Sequence, residues 1–135
     1  MACLVGAGLT PPARAATPAP AVDYTLHCEG CHLRDGAETP GRVPALAGAL
    51  GRFARLPAGR AYLVRVPGVA QSSLDDAALA GLLNWVLLRF DPSGVPTSFS
   101  PYRPEEVGQL RRSPLIDVEG ARERLLNPQP GASRP

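Results

Sequence analysis

Apolar side chains recur every three or four positions between residues 79 and 90, which places them on one face of a helix. These positions are Leu79, Leu82, Leu83, Val86 and Phe90. Four more apolar residues widen this face, namely Leu74, Trp85, Leu87 and Leu88. We therefore predict a long and largely buried helix, capped by Ser73 and ended by the turn-forming residues 91–94.

Two shorter helices are predicted before this one. The first covers residues 22–27. The second covers residues 57–66, beginning with a proline, which is tolerated at a first helical position, and stopping at the next proline. Its apolar face carries Tyr62, Leu63 and Val66. The expected fold class is therefore all-α.

Residues 95–126 form a C-terminal extension that is too rich in apolar residues to be a loose tail. Residues 104–112 begin with acids and end with arginines, an order that suits the helix dipole, and Asp117 can cap a further helix up to Leu126. We expect the extension to pack on the core. It is either a wrap that adds stability, or a lid or docking element.

Composition narrows the functional classes. A chain of 135 residues makes one domain the natural expectation, and the 14 glycines and 16 prolines predict many loops. The net charge of +2 is too small for a general nucleic-acid binder. All 14 basic residues are arginine, so lysine chemistry is excluded. No apolar run is long enough to span a membrane.

The N-terminus is typical of an export signal. An apolar run at residues 2–9 is followed by small residues at 13–16, so we expect a signal peptide over residues 1–16, cleaved near Ala15, and a periplasmic protein. The alternative is a disordered tail. Residues 17–21 are predicted to be a flexible tether, residues 22–94 the main domain, and residues 127–135 a frayed end.

The motif that carries chemistry is C-x-x-C-H at Cys28, Cys31 and His32. It is the attachment signature of c-type haem, in which two thiols bond to the haem vinyl groups and the histidine binds iron. The same two cysteines could belong to a redox pair or to half of a zinc site. Because no Cys or His follows His32, we favour one covalent haem c.

The segment from Tyr24 to Gly48 resembles the opening of the class I mono-haem cytochromes c, and the resemblance extends to about Phe90. It implies a small helical domain around one haem. It also implies that the carbonyl of Pro44 accepts the Nδ1 proton of His32 and so orients the ring. Trp85 would lie where the last core helix crosses the first.

The iron ligand opposite His32 is the main departure from this family, in which a methionine commonly serves. The only methionine is Met1, which we expect to be cleaved. The remaining candidates are Gln71, Asn84 and Tyr102, or water, or a five-coordinate iron. His27 adjoins Cys28 and is expected to face solvent or to form a hydrogen bond.

These features predict an electron-transfer protein rather than an enzyme, one that carries single electrons between a periplasmic dehydrogenase and an acceptor. The alternative is an open-site haem protein that senses small ligands or has peroxidase-like chemistry.

A stretch that contains five arginines and no acid adds a hypothesis about the redox partner. The arginines are Arg42, Arg52, Arg55, Arg60 and Arg65. If they form one face, the partner protein would be acidic; otherwise they are solvated arginines that the fold scatters.

Overall fold

The computed structural model describes residues 19–128, and the regular elements in that range are helices, which confirms the all-α fold class. The helices are α1 Pro20–His27, α2 Glu29–His32, α3 Leu50–Ala54, α4 Pro57–Arg65, α5 Pro67–Ala70, α6 Asp76–Phe90, α7 Pro104–Leu110 and α8 Val118–Leu126. α1 begins inside the segment expected to be a tether. The predicted signal peptide and most of the predicted frayed end lie outside the described residues.

The core forms where α1 packs across α6. Tyr24 of α1 is 2% exposed, and its ring centroid lies 5.7 Å from that of Trp85 and 5.0 Å from that of Phe90. The Tyr24 hydroxyl donates to the carbonyl of Leu33 at 2.6 Å and so fastens α1 to the turn after α2. Trp85 therefore lies at the helix crossing, where we expected it.

The N-terminus of α6 differs from the prediction, because Asp75 rather than Ser73 caps it. The Asp75 backbone is extended, and its carboxylate accepts a hydrogen bond from the amide of Ala78 at 2.8 Å. A capping side chain accepts a hydrogen bond from the amide two or three residues later, and Asp75 does so here with Ala78. The helix therefore starts at Asp76.

α4 begins at Pro57 and ends before Pro67 as predicted, but it is buried on two sides rather than one. Val64, outside the predicted face, is completely buried in the same cluster as Val107 of α7. The predicted face, which carries Tyr62, lines a cavity. The second buried side exists because the C-terminal extension covers it.

The extension is part of the core. Tyr102 is 3% exposed and Val107 0%, and both belong to the main apolar cluster. The Arg60 guanidinium forms a two-pronged ion pair with the Glu106 carboxylate and lies over the ring of Tyr102, 4.0 Å from its centroid. Asp117 caps α8 as predicted, by accepting from the amide of Gly120 at 2.8 Å.

Among residues 19–128, no helix has the length and apolar character needed to cross a membrane.

Candidate functional site

The C-x-x-C-H motif forms a short helical turn directly after α1. The carbonyl of Cys28 accepts hydrogen bonds from the amides of Cys31 at 3.0 Å and His32 at 2.9 Å. A helical turn puts positions four residues apart on one side. Cys28 and His32 accordingly share the wall of one cavity, while Cys31 is exposed.

The loop after the motif is folded back against the core. The carbonyl of Gly36 accepts from the amide of Leu46 at 2.8 Å, and the amide of Gly48 donates to the carbonyl of Phe90 at 3.0 Å. Gly36 has a φ of 71°, and a Cβ there would lie 2.7 Å from the Phe90 ring. Glycine is therefore required at this position. The fold places Pro44 in the cavity wall beside His32.

The cavity has a volume of about 430 Å³, within the range of cofactor pockets. Most of its wall is apolar and comes from α3, α4, α5 and α6. The contributing apolar side chains include Leu50, Phe53, Leu63, Val66, Val69, Leu83, Val86 and Leu87. A partly open, mostly apolar space beside a thiol and an imidazole suits a large flat cofactor with an apolar body.

The surroundings of the His32 ring affect its pKa and its hydrogen bonding in ways that suit a metal ligand. Burial lowers the pKa of His32, and the neighbouring Pro44 carbonyl opposes this effect by favouring the protonated ring. The Nδ1 atom is buried and has no hydrogen-bond partner of normal geometry, although the Pro44 carbonyl lies near the ring. A buried imidazole with a lowered pKa and no hydrogen bond on Nδ1 is suited to binding metal.

The two thiols do not have the character of a redox pair or a zinc site. Cys28 and Cys31 are both free, and burial together with the nearby Cys31 and Asp23 raises the pKa of the Cys28 thiol to about 11. A C-x-x-C redox centre depends on a lowered thiol pKa. In residues 19–128 no group of three or more Cys, His, Asp or Glu side chains could hold a metal ion. The donor set therefore fits haem c better than either alternative.

The candidates for the second iron ligand do not line this cavity. Gln71 is exposed after α5. The Tyr102 hydroxyl donates to the carbonyl of Arg60 at 2.8 Å, and the side-chain amide of Asn84 bonds to the Tyr102 backbone at 2.8 and 3.0 Å. The Tyr102 hydroxyl and the Asn84 side chain therefore hold the C-terminal extension against the core. His27 is exposed, in agreement with the solvent-facing alternative.

The structure adds cavity residues that we did not predict. Tyr62 comes from α4, and Val118, Glu119 and Arg122 come from α8. The sequence pattern identified α8 through its cap, but no local signal shows which surface a helix will cover. α8 is thus part of the cavity wall, as the lid hypothesis requires.

Three of the five arginines of the acid-free stretch form hydrogen bonds in the fold. Arg60 is paired with Glu106, Arg65 donates to the carbonyl of Ser113 at 2.6 Å, and Arg55 donates to the carbonyl of Gly94 at 2.9 Å. Arg42 and Arg52 are exposed without such bonds among the described residues. Of these three, only Arg60 is paired with an acid, since Arg55 and Arg65 donate to uncharged carbonyls and keep their charge. A basic docking face for an acidic partner therefore stays a prediction.

A helical fold with a C-x-x-C-H turn on an apolar cavity defines the class of c-type cytochromes. Comparison with known proteins agrees. The chain is 30% identical over 115 aligned positions to cytochrome c-552 of Thermus thermophilus, an alignment that covers 72% of this chain and 88% of the relative. A second cytochrome c-552, from a named strain of the same species, is also 30% identical, with 78% of its length covered. No family model matches the chain. The chain belongs to the cytochrome c family.

Proposed function

We propose that this protein is an exported cytochrome that carries single electrons between a periplasmic dehydrogenase and an acceptor protein, with one haem c attached to Cys28 and Cys31. The observation that carries the proposal is that Cys28 and His32 line one apolar cavity of about 430 Å³. The relationship to cytochrome c-552 supports the electron-transfer class. The donor, the acceptor and the periplasmic location are part of the proposal.

Each residue of the site has a defined task. Cys28 and Cys31 hold the cofactor covalently, and His32 supplies the imidazole ligand, whose pKa burial lowers. The Pro44 carbonyl accepts the Nδ1 proton once the ring is aligned, which fixes the ring plane. The bound haem supplies a one-electron couple between ferrous and ferric iron. The apolar walls exclude water and so disfavour the more positively charged oxidised state.

The attachment is tested by producing the full chain in a host that exports and matures c-type cytochromes. Denaturing mass spectrometry should show the mass of the protein plus one haem. The adduct should disappear in the Cys28→Ala/Cys31→Ala double variant. Unmodified protein from a host that loads a control cytochrome would contradict the proposal. The N-terminal residue of the mature product tests the predicted cleavage near Ala15.

The chain contains two histidines, so each serves as the control for the other. His32→Ala should alter the haem absorption spectrum and the reduction potential, since it removes the iron ligand. His27→Ala should leave both unchanged, because His27 is exposed. Equal spectra for His32→Ala and the parent protein would exclude His32 as the ligand. Reversible reduction by a small electron donor, with an unchanged spectrum after repeated cycles, tests the carrier function.

The alternative function, an open-site haem protein that senses small ligands or reacts with peroxide, is favoured by one observation. Residues 19–128 contain no methionine, and none of the other candidate ligands lines the cavity. Rapid uptake of carbon monoxide by the ferrous protein would favour this alternative. An unreactive ferrous protein would favour the carrier.

A further inference from the structure

A larger groove lies outside the cofactor cavity and shares none of the described residues with it. This groove has a volume of about 950 Å³ and is open to solvent. The turn between α3 and α4 forms one side of it, with Arg55, Leu56 and Pro57. The C-terminal extension forms the other side, with Phe99 and Arg103. The groove therefore exists because the extension packs on the core.

The groove contains apolar side chains that are held in place by the fold. Leu56 is 43% exposed. The Phe99 ring is partly exposed and packs edge-on against the ring of Tyr102, with the centroids 5.9 Å apart. The Arg60 guanidinium lies 4.9 Å from the Phe99 centroid and donates to the carbonyl of Ser100 at 2.6 Å. These contacts shape this wall of the groove before any partner binds.

Two of the arginines in the groove wall differ in how their charge is compensated. Arg60 forms a two-pronged ion pair with Glu106, so these two charges neutralise each other. Arg55 is exposed and donates to the carbonyl of Gly94 at 2.9 Å. A carbonyl is uncharged, so this hydrogen bond fixes the guanidinium without cancelling its charge.

The remaining charges leave the groove positive. Arg103 is exposed and has no ion pair among residues 19–128. The acid that remains in the wall is Glu105, which is also exposed. Arg52 is exposed one helical turn before Arg55 and adds a further positive charge beside the groove. A ligand with negative charge is therefore favoured over one with positive charge.

Helices α3 and α4 separate the groove from the cofactor cavity. On α3, Phe53 lines the cavity and the next residue, Ala54, lines the groove. On α4, Tyr62 lines the cavity and Arg60 lines the groove. A helix with its side chains is about 10–12 Å across, so a molecule in the groove lies one helix away from the cofactor site. Electron transfer weakens steeply with distance, which makes this groove a suitable contact surface for a redox partner.

We propose that the groove binds an acidic segment of the redox partner protein, in which an apolar side chain is flanked by carboxylates. The apolar side chain contacts Leu56 and Phe99, and the carboxylates pair with Arg55 and Arg103. Charge pairing of this kind speeds the encounter of two proteins more than it tightens their complex, as repeated electron transfer requires. The inference rests on the proposed electron-transfer function and gives the C-terminal extension a part in partner recognition.

The test uses the full holoprotein and a short synthetic peptide that carries one leucine between acidic residues, with binding measured by isothermal titration calorimetry at low salt. Arg103→Gln should weaken binding a few-fold, and Arg55→Gln/Arg103→Gln about 10-fold, because charge-assisted contacts are lost. Leu56→Ala should weaken binding a few-fold through the loss of apolar contact. The matched control is Arg112→Gln/Arg124→Gln, which removes the same charge at exposed positions outside the groove and should bind like the parent.

Several outcomes would overturn the inference. One is a parent protein that does not bind the acidic peptide, or that binds a peptide with lysines in place of the acids equally well. Another is an equal loss of affinity in the groove variant and the control, which would show a general effect of net charge. A dimer of the parent in sedimentation velocity that Arg103→Gln abolishes and Arg112→Gln preserves would assign the groove to a second copy of this chain instead. If the haem adduct and reversible reduction are present while peptide binding is independent of the groove arginines, only this inference fails and the proposed function stands.

Discussion

Arg111 of the extension holds the segment that joins α5 to α6. Its guanidinium donates to the carbonyls of Ala70 at 3.0 Å, Leu74 at 2.8 Å and Ser72, and to the carboxylate of Asp76 at 3.0 Å. This segment follows Val69, which lines the cavity. Replacing Arg111 by methionine keeps much of the apolar stem and removes all four interactions. We expect the Arg111→Met variant to have a lower free energy of unfolding and a cavity wall that is held less firmly.

The size of the effect follows from the exposure of the groups. The Arg111 side chain is 15% exposed and the Asp76 side chain 46%, so the ion pair itself contributes little. The three carbonyl contacts are worth about 1 kcal/mol each after water replaces part of the loss. The expected destabilisation is therefore about 3 kcal/mol, a large fraction of the roughly 5–15 kcal/mol that typical domains possess.

The assay is guanidinium unfolding of the holoprotein, followed in parallel by far-ultraviolet circular dichroism and by haem absorbance. The matched control is Arg112→Met, because the neighbouring Arg112 is exposed and has no hydrogen bond among the described residues. We expect the control to change the free energy of unfolding by less than about 0.5 kcal/mol. Equal stabilities of the Arg111 and Arg112 variants would refute the reasoning.

Three further predictions concern the same folded unit. The hydrogen-bonded ion pair with Arg60 holds the pKa of Glu106 below its ordinary value of 4.5. The stability that the ionised Glu106 contributes is therefore present above pH 4.5 and is lost as the pH falls through the lowered pKa. Glu106→Gln should flatten the acid side of a pH–stability profile. Gly59→Ala should cost about 2 kcal/mol in chemical unfolding, because a Cβ there would lie 2.3 Å from a carbonyl oxygen of α3, whereas Gly68→Ala, with open space around it, should be nearly neutral. Val107→Ala should lower the free energy of unfolding by about 2 kcal/mol, and Ile116→Ala, at a fully exposed position, by less than about 0.5 kcal/mol.

Each of these three predictions would be contradicted by a specific result. An acid profile that is identical with and without the Glu106 carboxylate would show that the ion pair does not stabilise the fold. Indistinguishable unfolding of the two glycine variants would mean that α3 and α4 separate at little cost. Equal losses for the Val107 and Ile116 variants would contradict the conclusion that the extension belongs to the core.

The local elements could be predicted because their signals lie within a few residues of one another. The C-x-x-C-H turn, the proline at the start of α4 and the Asp117 cap are all of this kind. The cap of α6 was predicted at Ser73 but lies at Asp75. Both are good capping residues, only two positions apart. Backbone geometry, which composition does not reveal, decides between them.

The sequence alone determined the helical class, the presence of a C-x-x-C-H motif and the lack of methionine between residues 19 and 128, since periodicity, spacing and composition are properties of the chain itself. Tertiary structure decided which residues share the cavity. Tyr62 and Arg122 both line it although they lie on helices far apart in the chain, whereas the hydroxyl of Tyr102, a candidate iron ligand by chemistry, bonds to a backbone carbonyl instead. Arg60 likewise pairs with Glu106, which lies 46 positions away in the chain. Such pairings depend on how helices pack, and no local pattern encodes the partner of a side chain.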